Sequence, residues 1–74
     1  MKLCEVKKEC KLNVEKITIN QEKILRRLNE IGIKQGSQIR FIKNSRLSKC
    51  ILVESMGSVF ILDNNVAEGI ICHE

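Results

Sequence analysis

Arg26-Arg27-Leu28-Asn29-Glu30-Ile31-Gly32-Ile33-Lys34-Gln35-Gly36 decides how this chain folds. Ahead of it, Ile24 and Leu25 join Leu28 and Ile31 at i, i+1, i+4 and i+7, which is one apolar stripe on a helix. Gly32 supplies the left-handed position that commonly stops a helix, and Ile33 can tuck back onto the helix end. Gly36 marks a second turn, from which a strand begins.

Asn20 is a suitable N-cap for this helix. Glu22 and Arg26 stand i,i+4 in the favourable order, worth about 0.2–0.5 kcal/mol if they pair. Upstream, Leu3 and Val6 suggest a short anchoring segment. Lys7–Lys11 reads as a polar turn. Leu12, Val14, Ile17 and Ile19 predict a strand whose alternation slips between Val14 and Ile17, the mark of a bend or bulge.

Downstream, Ser37–Lys43 alternates with Ile39 and Phe41 on one face, and Ile42 breaks the pattern as an edge-covering residue. Asn44–Lys49 reads as a loop. Cys50–Met56 predicts a strand, with Cys50 and Leu52 opposite Ile51, Val53 and Ser55. Gly57-Ser58 is a hairpin signal, and Val59–Leu62 the return strand. Asp63-Asn64-Asn65 caps one helical turn through Val66, Ala67 and Glu68. Gly69 ends it, and Ile70–His73 forms the last strand. Short strands around one inserted helix predict a mainly β, small closed barrel that abolishes its edges, as a single domain over residues 1–74.

The 74 residues carry 43% hydrophobic side chains, enough for a thin core and too many for disorder. No apolar run approaches the ~20 residues of a membrane span, and the charged N-terminus does not suit a signal peptide. These features predict a cytoplasmic protein with no direct membrane insertion. Residues 1–49 carry all 13 basic groups against 5 acidic ones, for +8, whereas residues 50–74 carry 4 acidic groups and no base, for −4. A basic face attracts nucleic acid, anionic lipid or an acidic protein surface.

At this point the chain resembles the FeoA family, whose pattern runs Arg-Leu-x-x-Leu-Gly-Leu-x-x-Gly. It stands here as Arg27-Leu28-Asn29-Glu30-Ile31-Gly32-Ile33-Lys34-Gln35-Gly36, preceded by Val14-Glu15-Lys16-Ile17. Gly57, Leu62, Ala67 and Ile70 match the second half. The resemblance implies an SH3-like barrel with a short C-terminal helical turn. It implies a non-catalytic accessory of ferrous-iron uptake, partnered by FeoB, a membrane transporter whose cytosolic part hydrolyses GTP. DtxR-type metal-dependent repressors carry a similar SH3-like domain, so a metal-binding regulator is one alternative. A small-barrel nucleic-acid-binding module is another.

Cys4, Cys10, Cys72 and His73 are the candidate metal ligands, with Cys50 beside them. Their spacing lacks a Cys-x-x-Cys pair, and Cys72 and His73 on one strand face opposite ways. Cys50 and Cys72 fit buried apolar positions instead. The expectation is no bound metal and no cofactor. One histidine next to the chain end does not activate a thiol, and no Walker loop is present, so catalysis is not expected. Two phenylalanines, both placed in the core, offer no stacking platform, so nucleic acid is a poor partner. Arg26, Arg27, Lys43, Arg46 and Lys49 remain as partner-binding candidates, with Arg40 near them, and Gly32, Gly36, Gly57 and Gly69 as turn devices.

Overall fold

A computed structural model describes residues 1–74. A 3-10 turn at Leu3–Glu5 precedes β1 (Cys10–Ile17), α1 (Glu22–Glu30), β2 (Gln38–Ser45), β3 (Cys50–Ser55), β4 (Ser58–Asp63), α2 (Asn64–Glu68) and β5 (Ile70–His73). The strands form one antiparallel sheet in the order β4-β3-β2-β1-β5, curled into an SH3-like barrel. Closure is incomplete, because β4 and β5 do not pair. The turn α2 bridges them, and β4 keeps a free outer edge.

β1 serves two partners. Cys10–Asn13 pair with β2, and Asn13–Ile17 with β5, with a register shift between Val14 and Lys16 where the alternation slips. Val14 sits at the changeover, donating its amide to the Ser37 carbonyl at 2.8 Å and accepting from the Gly36 amide at 2.8 Å. A second bulge, between Phe41 and Lys43, explains why Ile42 breaks its pattern. β2 is an inner strand, so Ile42 covers no edge. β2 also runs on through Asn44 and Ser45, leaving only residues 46–49 as the turn.

The helix stop is formed as the glycine pattern predicts. The Ile33 amide reaches the Leu28 carbonyl at 2.8 Å, and the Gly32 amide reaches that of Asn29 at 3.1 Å, a Schellman motif with Gly32 at φ +85°. Ile33 and Leu28 are both buried. The start differs from expectation. The Gln21 carbonyl accepts the first intrahelical bond, from Leu25 at 3.0 Å, so Gln21 holds the cap position and its side chain does not cap. Asn20 stands one residue too early. Leu28 alone of the stripe is fully buried, while Ile24, Leu25 and Ile31 remain half-exposed.

Asp63 does cap α2, its Oδ1 accepting from the Asn65 amide at 2.6 Å. Gly69 follows with φ −88°, an ordinary value; space is what restricts it, since a Cβ there would stand 2.5 Å from Ile19 Cγ1. The β3–β4 turn has Met56 at φ +54° and Gly57 at φ +79°, the two left-handed positions of a type I′ hairpin. The core collects 14 buried apolar residues, from Leu3 and Val6 through Phe41, Ile51 and Val53 to Ala67, Ile70 and Cys72.

Candidate docking face

The chemistry-bearing side chains do not converge. Cys72 is buried in the core, and His73 points outward on the other face of β5, reaching Glu15 at 3.6 Å. Burial pushes the Cys72 thiol up, and the N-terminal ammonium pulls it partly back. Cys4 and Cys10 are half-buried, with desolvation and the Glu74 carboxylate raising Cys10. Cys50 departs from its expected place. On β3 the core side is Ile51, Val53 and Ser55, so Cys50 lies half-exposed on the opposite side, its thiol 3.3 Å from Ser48 Oγ. No group of three His, Cys, Asp or Glu side chains is arranged to hold a metal ion. No helix is long and apolar enough to cross a membrane.

The basic candidates separate into distinct places. Arg40 is engaged, its Nε donating to Glu54 Oε1 at 2.9 Å and its Nη1 pairing with Glu9. Lys43 and Arg46 border a depression of about 390 Å³ beside the 3-10 turn, together with Lys7, which is remote in sequence. Lys49 lies in the same β2–β3 turn as Arg46, with φ +52°, but does not line that depression. Arg26 and Arg27 lie on α1 with Lys23, around a shallow depression of about 320 Å³. Arg26 makes no ion pair with Glu22, and Lys23 and Arg27 are equally unpaired.

An apolar groove of about 210 Å³ adjoins this basic rim. Ile24 and Leu28 of α1 and its C-cap Ile31 form one wall, Ile61 and Leu62 of β4 the other, and Val66 of α2 closes the end. Arg27 and Asp63 stand at its margin, the latter's carboxylate already occupied in capping α2. The partial exposure of the α1 stripe thus has a structural cause. Ile24 and Ile31 face the groove on either side of the buried Leu28, whereas Leu25 lies outside it. Phe60 also is only half-buried, contrary to expectation, because β4 is an outer strand.

Neighbouring Ile61 and Val59 are 70% and 54% exposed. The candidates read from the sequence included none of the groove's apolar members as site residues. The available signal was Val59-Phe60-Ile61-Leu62, an apolar run without alternation, which a strand with one solvated face would not carry. Lys7 gave no signal, since only the fold brings it to Lys43 and Arg46.

The family described as "FeoA domain" matches residues 1–74. The FeoA protein of Chlorobium tepidum, a solution structure, is 29% identical and superposes with a TM-score of 0.86 over 99% of this chain and 69% of that one. The FeoA-like protein of Clostridium acetobutylicum is 23% identical, with a TM-score of 0.81 over 99% of this chain and 84% of its own. ScaR with bound Zn2+, a manganese-activated repressor, is 22% identical with a TM-score of 0.88. That match covers all of this chain but only 36% of ScaR, so the likeness is to one part of the repressor and concerns the fold. No curated protein matches the sequence.

Proposed function

The chain belongs to the FeoA domain family, and from that premise we propose that it is a non-catalytic accessory of ferrous-iron uptake in the cytoplasm. Its task is to dock on the cytosolic, GTP-hydrolysing part of a FeoB-type transporter. The observation that carries this reading is the apolar groove between α1 and β4 with unpaired cations beside it. Apolar surface left open next to such a rim is the composition of a docking face, with the groove giving affinity and the arginines steering encounter. The iron uptake regulatory protein FeoA, known from a crystal structure, shares the fold at 18% identity and a TM-score of 0.82.

The same observation narrows the basic candidates to Arg26 and Arg27, since Lys43, Arg46 and Lys49 lie elsewhere. The test is a pull-down of the transporter's soluble region with charge-reversed chains. Arg26→Glu/Arg27→Glu is expected to weaken association about tenfold, most strongly at low salt, with an unchanged circular-dichroism spectrum. Lys43→Glu/Arg46→Glu is expected to leave binding within about twofold. Equal retention by both variants and the natural chain would sink the reading.

A further inference from the structure

The two edges of the sheet are not equivalent. Outside β5 the N-terminal residues are stitched on: Lys2 bridges Ile71, the Met1 ammonium donates to the Cys72 carbonyl at 3.0 Å, and the Cys72 amide donates to the Met1 carbonyl at 2.8 Å. Nothing is stitched onto β4. Its turn has two residues, so Ser55 and Ser58 are a hydrogen-bonded pair, and alternation along the ladder turns the N–H and C=O of Val59 and Ile61 away from β3. No turn, loop or side-chain hydrogen bond reaches them.

Edge strands are ordinarily blunted by lysine, proline, a bulge or shortness. β4 has none of these. It runs six residues, Ser58–Asp63, in unbroken register with β3, and its outward-facing side chains are Val59 and Ile61, followed at the far end by Asp63, whose carboxylate caps α2. The free backbone edge and the apolar groove meet at Ile61, and Arg27 stands at the groove's margin with Lys23 and Arg26 beyond it.

The geometry points to β-strand addition at β4, by an extended partner segment that alternates apolar with acidic side chains. The backbone of Val59 and Ile61 supplies the ladder, the groove takes apolar side chains, and the three unpaired cations take the carboxylates. A second copy of this chain is the poorer occupant, because it would bring the same cations to the contact. This inference rests on the groove being the docking face, and it adds the form and charge of the segment that enters.

The probe is a synthetic peptide of about six residues, a strand's usual length, alternating valine with aspartate or glutamate. It is titrated into the full chain and followed by amide NMR. The expected result is shifted, exchange-protected amides at Val59 and Ile61. Binding should weaken about tenfold in Arg26→Glu/Arg27→Glu, and about tenfold when the peptide's edge-facing amides are N-methylated, but not when the alternate ones are. Three results would overturn the proposal: equal binding of a valine–lysine peptide, shifts confined to the Lys7, Lys43 and Arg46 depression, or concentration-dependent protection of Val59 without peptide. The transporter's soluble region, run in the same assay, separates the two readings. Peptide bound at β4 with the soluble region ignored retires the partner and supports the edge. The soluble region bound without perturbing Val59 or Ile61 keeps the partner and retires the edge.

Discussion

Replacing Gly32 by alanine is expected to remove about half of this domain's stability or more, for two separable reasons. The backbone there holds φ +85°, which costs an L-residue about 1–2 kcal/mol. The added Cβ would also lie 2.6 Å from Met56 Sδ, 2.7 Å from Met56 Cγ and 2.9 Å from Ser55 Oγ. Met56 is 79% exposed and its flexible end can swing away cheaply. Ser55 cannot. It is 3% exposed, and its hydroxyl donates to the Ile31 carbonyl at 2.7 Å, tying β3 to the end of α1. Disturbing that buried bond costs about 1–3 kcal/mol. The sum, about 2–5 kcal/mol, rivals the ~3–5 kcal/mol a core of this size supplies. Gly36 is the control, with φ +87° and nothing within 4 Å of an added Cβ, so Gly36→Ala should cost the backbone part alone, about 1–2 kcal/mol. Urea unfolding followed by circular dichroism reads both, with the midpoint falling at constant slope. In a double-mutant cycle Ser55→Ala should couple to Gly32→Ala by about 1 kcal/mol, whereas Met56→Ala should couple little. Equal destabilisation by Gly32→Ala and Gly36→Ala would refute the steric argument.

Three further outcomes are expected. Asp63→Ala should cost about 1 kcal/mol in urea unfolding by uncapping α2, and Asp63→Asn much less, because an amide oxygen can still accept from Asn65. Cys72 holds its proton more tightly in the folded chain than in the unfolded one, so its contribution is complete below the free thiol's 9.0 and is lost as pH rises through the raised folded value. Stability should therefore fall at alkaline pH, and Cys72→Ala should flatten that fall; an unchanged slope would refute the assignment. Purified protein should carry no stoichiometric iron or zinc by elemental analysis, and tight binding abolished by Cys4→Ser or Cys10→Ser would contradict this.

Much of the fold was legible because the devices that set it are local. A Schellman stop needs only glycine after an apolar helix and an apolar residue behind it, and Gly32 with Ile33 shows both in adjacent positions. The slip between Val14 and Ile17 likewise announces a bulge that the register confirms. Asn20 misled because several nearby residues could start the helix, and backbone geometry at Gln21 decided it. Cys50 misled because either parity of an apolar strand can face the core. The candidate site was less legible still. Arg26 and Arg27 stood out as charges, but their groove joins α1 to β4, elements separated by two intervening strands. An unpaired edge is a property of sheet order, which no single stretch of sequence states.

The partner exchange within β1 bears on how the molecule opens and forms. Since β1 bonds β2 with its first half and β5 with its second, neither half of the sheet can detach without breaking the same strand. Amide exchange at Leu12 and Val14 should therefore proceed only through global unfolding, with no smaller cooperative unit able to release them. The Val14–Cys72 pairing also joins residues 58 positions apart, so assembly must close a loop spanning most of the chain before that strand is rewarded. For a domain this small, that high contact order predicts folding in the slower range typical of SH3-like barrels, about milliseconds to seconds.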